Sequence, residues 1–149
     1  MDGLVSRVSL LVGLASALYM TGVITFVRRV HYPLFAAVGT DRFERYHAAH
    51  VARTTRVVAF PMVVELASAL VLAAWPPATS SRWLAWLGLT AAASTWMVTA
   101  FVSVPAHNRL ARGFEPDVLR RLLAGDVVRA AGWWCHSAVL LVMCWNAQT

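Results

Sequence analysis

Four long apolar stretches, over residues 8–27, 57–75, 83–104 and 127–145, constrain this chain more than anything else in it. Each has the roughly 20 residues that a helix needs to cross about 30 Å of hydrocarbon. Inside lipid every backbone N–H and C=O must be satisfied by the chain itself, which leaves helices or a closed barrel. Barrel strands alternate apolar and polar residues, and these stretches do not. The expected fold is all-α, an integral membrane four-helix bundle occupying a single transmembrane domain, 1–149. Arg28-Arg29, Pro76-Pro77 and Pro105 mark the ends of the first three spans. The segments 28–56 and 105–126 are expected as the two long loops.

Composition agrees with a lipid environment. Charged residues make up 13% of the chain, against about 25% in soluble domains, and mean hydropathy is +0.61. This excludes a disordered or fibrous chain. The net charge of +6 comes from 13 arginines with no lysine. Their placement argues against nucleic acid as the reason for that charge, because they sort by side of the membrane. Eleven lie between spans one and two, between spans three and four, or at the start of span four. Only Arg7 and Arg82 fall on the opposite side. Cytoplasmic loops collect basic residues, so both long loops are expected inside and both termini outside, in a bacterial plasma (inner) membrane. No small-residue cleavage site follows Arg7, so the first span reads as retained. Cys135 and Cys144 stand about 13.5 Å apart along a helix, too far for a disulfide.

Trp75, Trp83, Trp86 and Trp145 then belong at the outer interface, where indoles are stable between water and lipid. Ser9, Gly13 and Ala17, and likewise Gly88 and Ala92, repeat every fourth position and suit close helix contact. A shift of 76 residues maps His31 onto His107, Leu34 onto Leu110, Arg45 onto Arg121 and Arg53 onto Arg129. That pattern is compatible with two related helical hairpins.

Three groups of residues have chemical potential. Glu65 lies mid-span, where a carboxylate is costly unless paired, protonated or hydrated. His136 reaches a similar depth from span four, and Tyr19, Thr21, Thr95 and Trp96 fall in the same layer by counting. An intramembrane polar pocket is expected there; a neutral Glu65 bonded to a neighbouring helix would satisfy the same pattern. On the arginine-rich side, Glu44, His47 and His50 recur at a spacing of three, which keeps neighbours on one helix face. Either they hold a metal, since Glu-x-x-His is a pair used by di-iron bundles, or they face the headgroups from an interfacial helix. Arg53 and Arg129 each enter an even-numbered span, where a guanidinium contacts lipid phosphate or grips an anionic oxygen with its rigid donor fork.

Gly22, Phe26-Val27 and Pro33 follow or close span one, Pro105-Ala106-His107-Asn108-Arg109-Leu110 follows span three, and Arg129 and Trp133 open span four. In these features and in its layout the chain resembles the small four-span membrane proteins of the anthrone-oxygenase-like family. Family members often carry Asn three residues before the span-four arginine, where this chain has Asp126. The resemblance implies oxygenation of an aromatic, polyketide-like substrate with neither metal nor flavin as cofactor. Such a carbon acid needs a base, for which Glu65 or His136 is available. It also needs a group to stabilise the enolate, for which Arg129, Asn108 or His107 is available. The expected partners are membrane lipids and a small hydrophobic ligand. The alternative is an accessory or assembly subunit, whose partner would be another membrane protein or a second copy. No P-loop, dinucleotide-binding glycine pattern or haem-attachment motif is present.

Overall fold

A computed structural model describes residues 2–148; Met1 and Thr149, the ends of the expected domain, lie outside them. The described residues are mostly helical, with α1 (Asp2–Phe26), α2 (Thr40–Ala74), α3 (Arg82–Val98), α4 (Val104–Leu110) and α5 (Pro116–Asn146). Four helical segments, Gly3–Ala37, Thr40–Ala74, Arg82–Leu110 and Pro116–Asn146, are long and apolar enough to cross a membrane. The protein is an all-α, four-helix integral membrane protein.

The segments expected as loops are mostly helical. The segment 28–56 contains a π turn over Val27–His31, a 3-10 turn over Pro33–Ala37 and then the start of α2. Nothing between Thr40 and Ala74 breaks a helix except Pro61, which is absorbed inside α2. With 35 residues, α2 is about 52 Å long, well beyond the hydrocarbon thickness. It therefore projects past the arginine-rich end as a direct continuation of the span, and no separate interfacial helix forms. Likewise α4 and the start of α5 occupy most of 105–126.

Two π turns break the odd-numbered spans, at Val27–His31 and Thr99–Ser103. Each has a proline shortly after it, Pro33 and Pro105. A proline ring clashes with the carbonyl four residues earlier, here Arg29 and Phe101, and both carbonyls lie inside the π segments. Widening the turn relieves that clash. The prolines correspond at a shift of 72, one helical turn from the 76 that relates the histidines and arginines.

Small residues let the helices approach. A Cβ on Gly13 would come 3.0 Å from the Ser68 Cβ, and one on Gly132 would come 2.8 Å from Thr95. Trp75, Trp83, Trp86 and Trp145 are all exposed, as lipid-interface indoles should be. The core has two characters. At the end bearing the termini it is apolar, with Leu10, Leu72, Leu84, Val139, Leu140 and Met143 packed together. At the arginine-rich end an aromatic cluster including Tyr32, Phe35 and Phe43 packs on Leu110 and Leu122.

Between these two clusters runs a polar seam. On α5 the residues Leu122, Asp126, Arg129, Trp133, His136, Leu140 and Met143 are all buried. They follow the alternating four-and-three spacing by which a helix presents one stripe to its neighbours. The stripe is apolar at both ends and polar or aromatic over its middle four positions.

Candidate functional site

The polar seam divides into a closed lower part and an open upper part. In the closed part His136 Nδ1 lies 2.6 Å from Glu65 Oε1, and the Trp133 indole N–H donates to Glu65 Oε2 at 2.7 Å. Glu65, Trp133 and His136 are 1%, 0% and 0% exposed. Gly88 packs against the imidazole, and a Cβ there would lie 3.5 Å from His136 Cδ2, in ordinary contact. His136 Nε2 has no hydrogen-bond partner among the described residues. Glu65 and His136 thus meet across α2 and α5. Both carboxylate oxygens are engaged, and their surroundings are side chains from all four long helices. Thr21 adds a bond to Ser137 at 2.9 Å in the same layer, and Thr95 is fully buried. Tyr19 does not join: it is 47% exposed, because its position on α1 turns it to the lipid face.

The open part begins one turn nearer the arginine-rich end. Arg129 is 7% exposed, and its guanidinium sits 5.2 Å from the centroid of the Trp133 ring. It donates through Nη1 to Ser103 Oγ at 3.1 Å. Asp126 Oδ1 is 3.2 Å from the same nitrogen. That is ion-pair distance, but the alignment is poor for a hydrogen bond: neither Asp126 oxygen nor Arg129 Nε has a hydrogen-bond partner among the described residues. Arg129 forms one wall of a cavity of about 170 Å³ that it shares with Tyr32, His50, Thr99, His107 and Asn108. Neither Glu65 nor His136 lines this cavity. The five residues expected to carry catalysis therefore separate into Arg129, His107 and Asn108 on the cavity and Glu65 with His136 in the packed layer beneath.

Four histidines gather around the cavity. His31 Nε2 and His50 Nδ1 are 2.6 Å apart, and His47 Nε2 and His107 Nδ1 are 3.0 Å apart. Each contact requires one nitrogen to donate and the other to accept, so each pair holds at least one lone pair free of a proton. His107 Nε2 also lies 3.1 Å from the Tyr32 hydroxyl, and Thr54 Oγ1 lies 3.1 Å from His50 Nδ1. His47 stacks on Phe43 and His50 meets Phe35 edge-on, which fixes both in the aromatic cluster.

The expected metal triad of Glu44, His47 and His50 does not assemble. His47 and His50 point inward, whereas Glu44 is exposed, one register off the buried stripe formed by Phe43, His47 and His50. Among the described residues no group of three or more metal-ligating side chains is placed to hold an ion. The sequence reading paired His47 with His50 along α2. Their actual partners, His107 and His31, come from other segments.

Comparison with protein-family models, curated proteins and solved structures yields no match to this chain.

Proposed function

We propose that the cavity at the arginine-rich end binds a small, weakly acidic aromatic molecule, and that the protein is a membrane-embedded enzyme acting on it. One observation carries the reading. Arg129 is a buried guanidinium in the wall of a cavity, with Asp126 at ion-pair distance behind it. Its near neighbours there include the imidazoles of His50 and His107, each in a contact with a second histidine that needs at least one ring of the pair to be uncharged. A buried cation beside a hydrogen-bond acceptor suits a carbon acid or phenol. The imidazole takes the proton, and the guanidinium holds the resulting oxyanion. His50 and His107 are the bases on the cavity, and Tyr32 and Asn108 are further hydrogen-bonding groups in its wall. Glu65 and His136 are structural in this reading, because the cavity does not reach them.

The resemblance noted in the sequence extends the proposal to oxygenation without a cofactor. For anthrone, the enolate would react with dioxygen, and the methylene carbon would become a carbonyl with release of one water. The arginine-rich end would face the cytoplasm of a bacterial inner membrane, and both termini would lie outside.

The test uses anthrone itself with purified protein in detergent. Oxygen uptake is measured against anthraquinone formed, for the wild-type chain and for Arg129→Gln and Glu65→Gln. Uptake matched to product, abolished by Arg129→Gln and kept by Glu65→Gln, supports the enzyme. A chain that neither binds nor oxidises anthrone, and that purifies with a stoichiometric membrane-protein partner, would instead be an accessory subunit.

A further inference from the structure

The cavity has a counterpart on the other side of α2. A lateral groove of about 430 Å³ lies between α1 and α2 at the same end of the bundle, with Val23, Val27, His31 and Arg53 in its walls. The 76-residue shift carries those four residues onto Thr99, Ser103, His107 and Arg129. All four images line the cavity. Groove and cavity therefore share four related positions, although the cavity also takes Tyr32, His50 and Thr54 from the first hairpin. Both keep one histidine and one arginine, while two valines in the groove stand where the cavity has two hydroxyls. Thr54 lines both spaces, and the His31–His50 contact at 2.6 Å bridges a groove residue to a cavity residue.

The substitutions change what the groove suits. Its body is hydrocarbon, formed by Val23, Val27 and Phe26, and Phe26 is 59% exposed on the outward surface of α1. Gly22 leaves one wall open, since a Cβ there would meet nothing within 4 Å. The one full charge is Arg53, which is exposed and takes part in none of the ion pairs among the described residues. An apolar trough open sideways to lipid, with an unpaired guanidinium and an imidazole at one end, matches an acyl chain with an anionic head. Basic pockets between spans near the membrane surface hold such headgroups.

We infer that this groove is a binding site for one anionic phospholipid, with its phosphate on Arg53 beside His31 and one acyl chain laid along Gly22 and Phe26. The inference does not depend on what the cavity binds. It rests on the groove and on its correspondence with the cavity.

Delipidated protein in detergent, titrated with dioleoyl phosphatidylglycerol and followed by native mass spectrometry, tests it. About one lipid per chain is expected to bind before any other. Arg53→Gln should weaken that binding about fivefold, the effect of one basic residue near a membrane surface. Gly22→Phe grows a ring into open groove and should remove the site, with Gly22→Leu as a smaller filler should the phenylalanine variant fail to fold. Leu70→Phe, on a distant exposed part of α2, should bind as the wild type does. Equal affinity for dioleoyl phosphatidylcholine, or unchanged binding in a folded Gly22 variant, would overturn the inference. So would oleate binding as tightly as the phospholipid, because the groove would then be a fatty-acid site.

Discussion

Trp133 donates its indole N–H to Glu65 at 2.7 Å, and the other face of that relationship is Arg129, whose guanidinium sits 5.2 Å from the same ring. A single side chain thus touches both the packed carboxylate layer and the wall of the cavity. Glu65 accepts from Trp133 with one oxygen and meets His136 with the other, so removing the carboxylate takes a buried contact from both partners. Burying such groups without partners is expensive.

Glu65→Leu is therefore expected to destabilise the bundle by about 3–5 kcal/mol, the usual cost of breaking a buried pair. Glu65→Gln keeps shape and hydrogen-bonding capacity and should cost less than about 1.5 kcal/mol. The double variant Glu65→Leu/His136→Leu removes both members, and its loss should be clearly smaller than the sum of the two single losses. Thermal unfolding in detergent measures all four proteins. Strict additivity would mean that the two side chains do not act as a pair.

Asp126 and Arg129 allow a second cycle. Arg129→Leu leaves the fully buried Asp126 without the only cation within ion-pair distance among the described residues and should lower stability by several kcal/mol. Adding Asp126→Asn removes the stranded charge, so the double variant should recover much of that loss. Ligand binding should not recover, because it needs the guanidinium itself. A melting curve and an anthrone-binding titration on the same samples separate the two effects.

Glycines predict where the bundle has room. Gly132→Ala places a methyl 2.8 Å from Thr95 and 2.9 Å from Ser94 Oγ, and overpacking of this kind typically costs about 1–3 kcal/mol. Gly22→Ala meets nothing and should stabilise α1 by up to about 1 kcal/mol through helix propensity. Opposite shifts in melting temperature are expected from the same chemical change. A loss of stability in Gly22→Ala would show that the groove wall is closed.

Orientation has its own test. Reporters inserted at Thr79 and fused at Thr149 should both read as outside, and one inserted at Gly113 should read as cytoplasmic. An inside signal at Thr79 would reverse the bundle and place the histidine cluster on the outer face.

The spans were legible because hydrophobicity repeats along the chain on a scale that the bilayer imposes. Glu65 and His136 could be paired from sequence because depth in a helix follows from counting residues. Tyr19 shows the limit of that counting: depth is linear in sequence, but facing depends on rotation about the axis, and one residue turns a side chain by about 100°. The helical extension of α2 was partly visible in the stripe of Phe43, His47 and His50, yet Glu44 was assigned to the same face, which the helix keeps exposed. His31 with His50, and His47 with His107, could not be paired from spacing within one segment. The 76-residue shift maps His31 onto His107, but equivalence in a repeat carries no information about contact, and Pro105 reads only as the end of span three.

The apolar packing of Leu10, Leu72, Leu84, Val139, Leu140 and Met143 has an electrical consequence. Potential across a membrane falls mainly over its least polarisable layer, and each elementary charge carried through the full field is worth about 2.3 kcal/mol per 100 mV. The leucine-rich half is that layer, while the arginine-rich half holds the cavity lined by His50, His107 and Arg129. An anion arriving at Arg129 from that end crosses only a small fraction of the field. Its binding should be nearly independent of voltage, and the leucine septum should hold the potential without leaking charge.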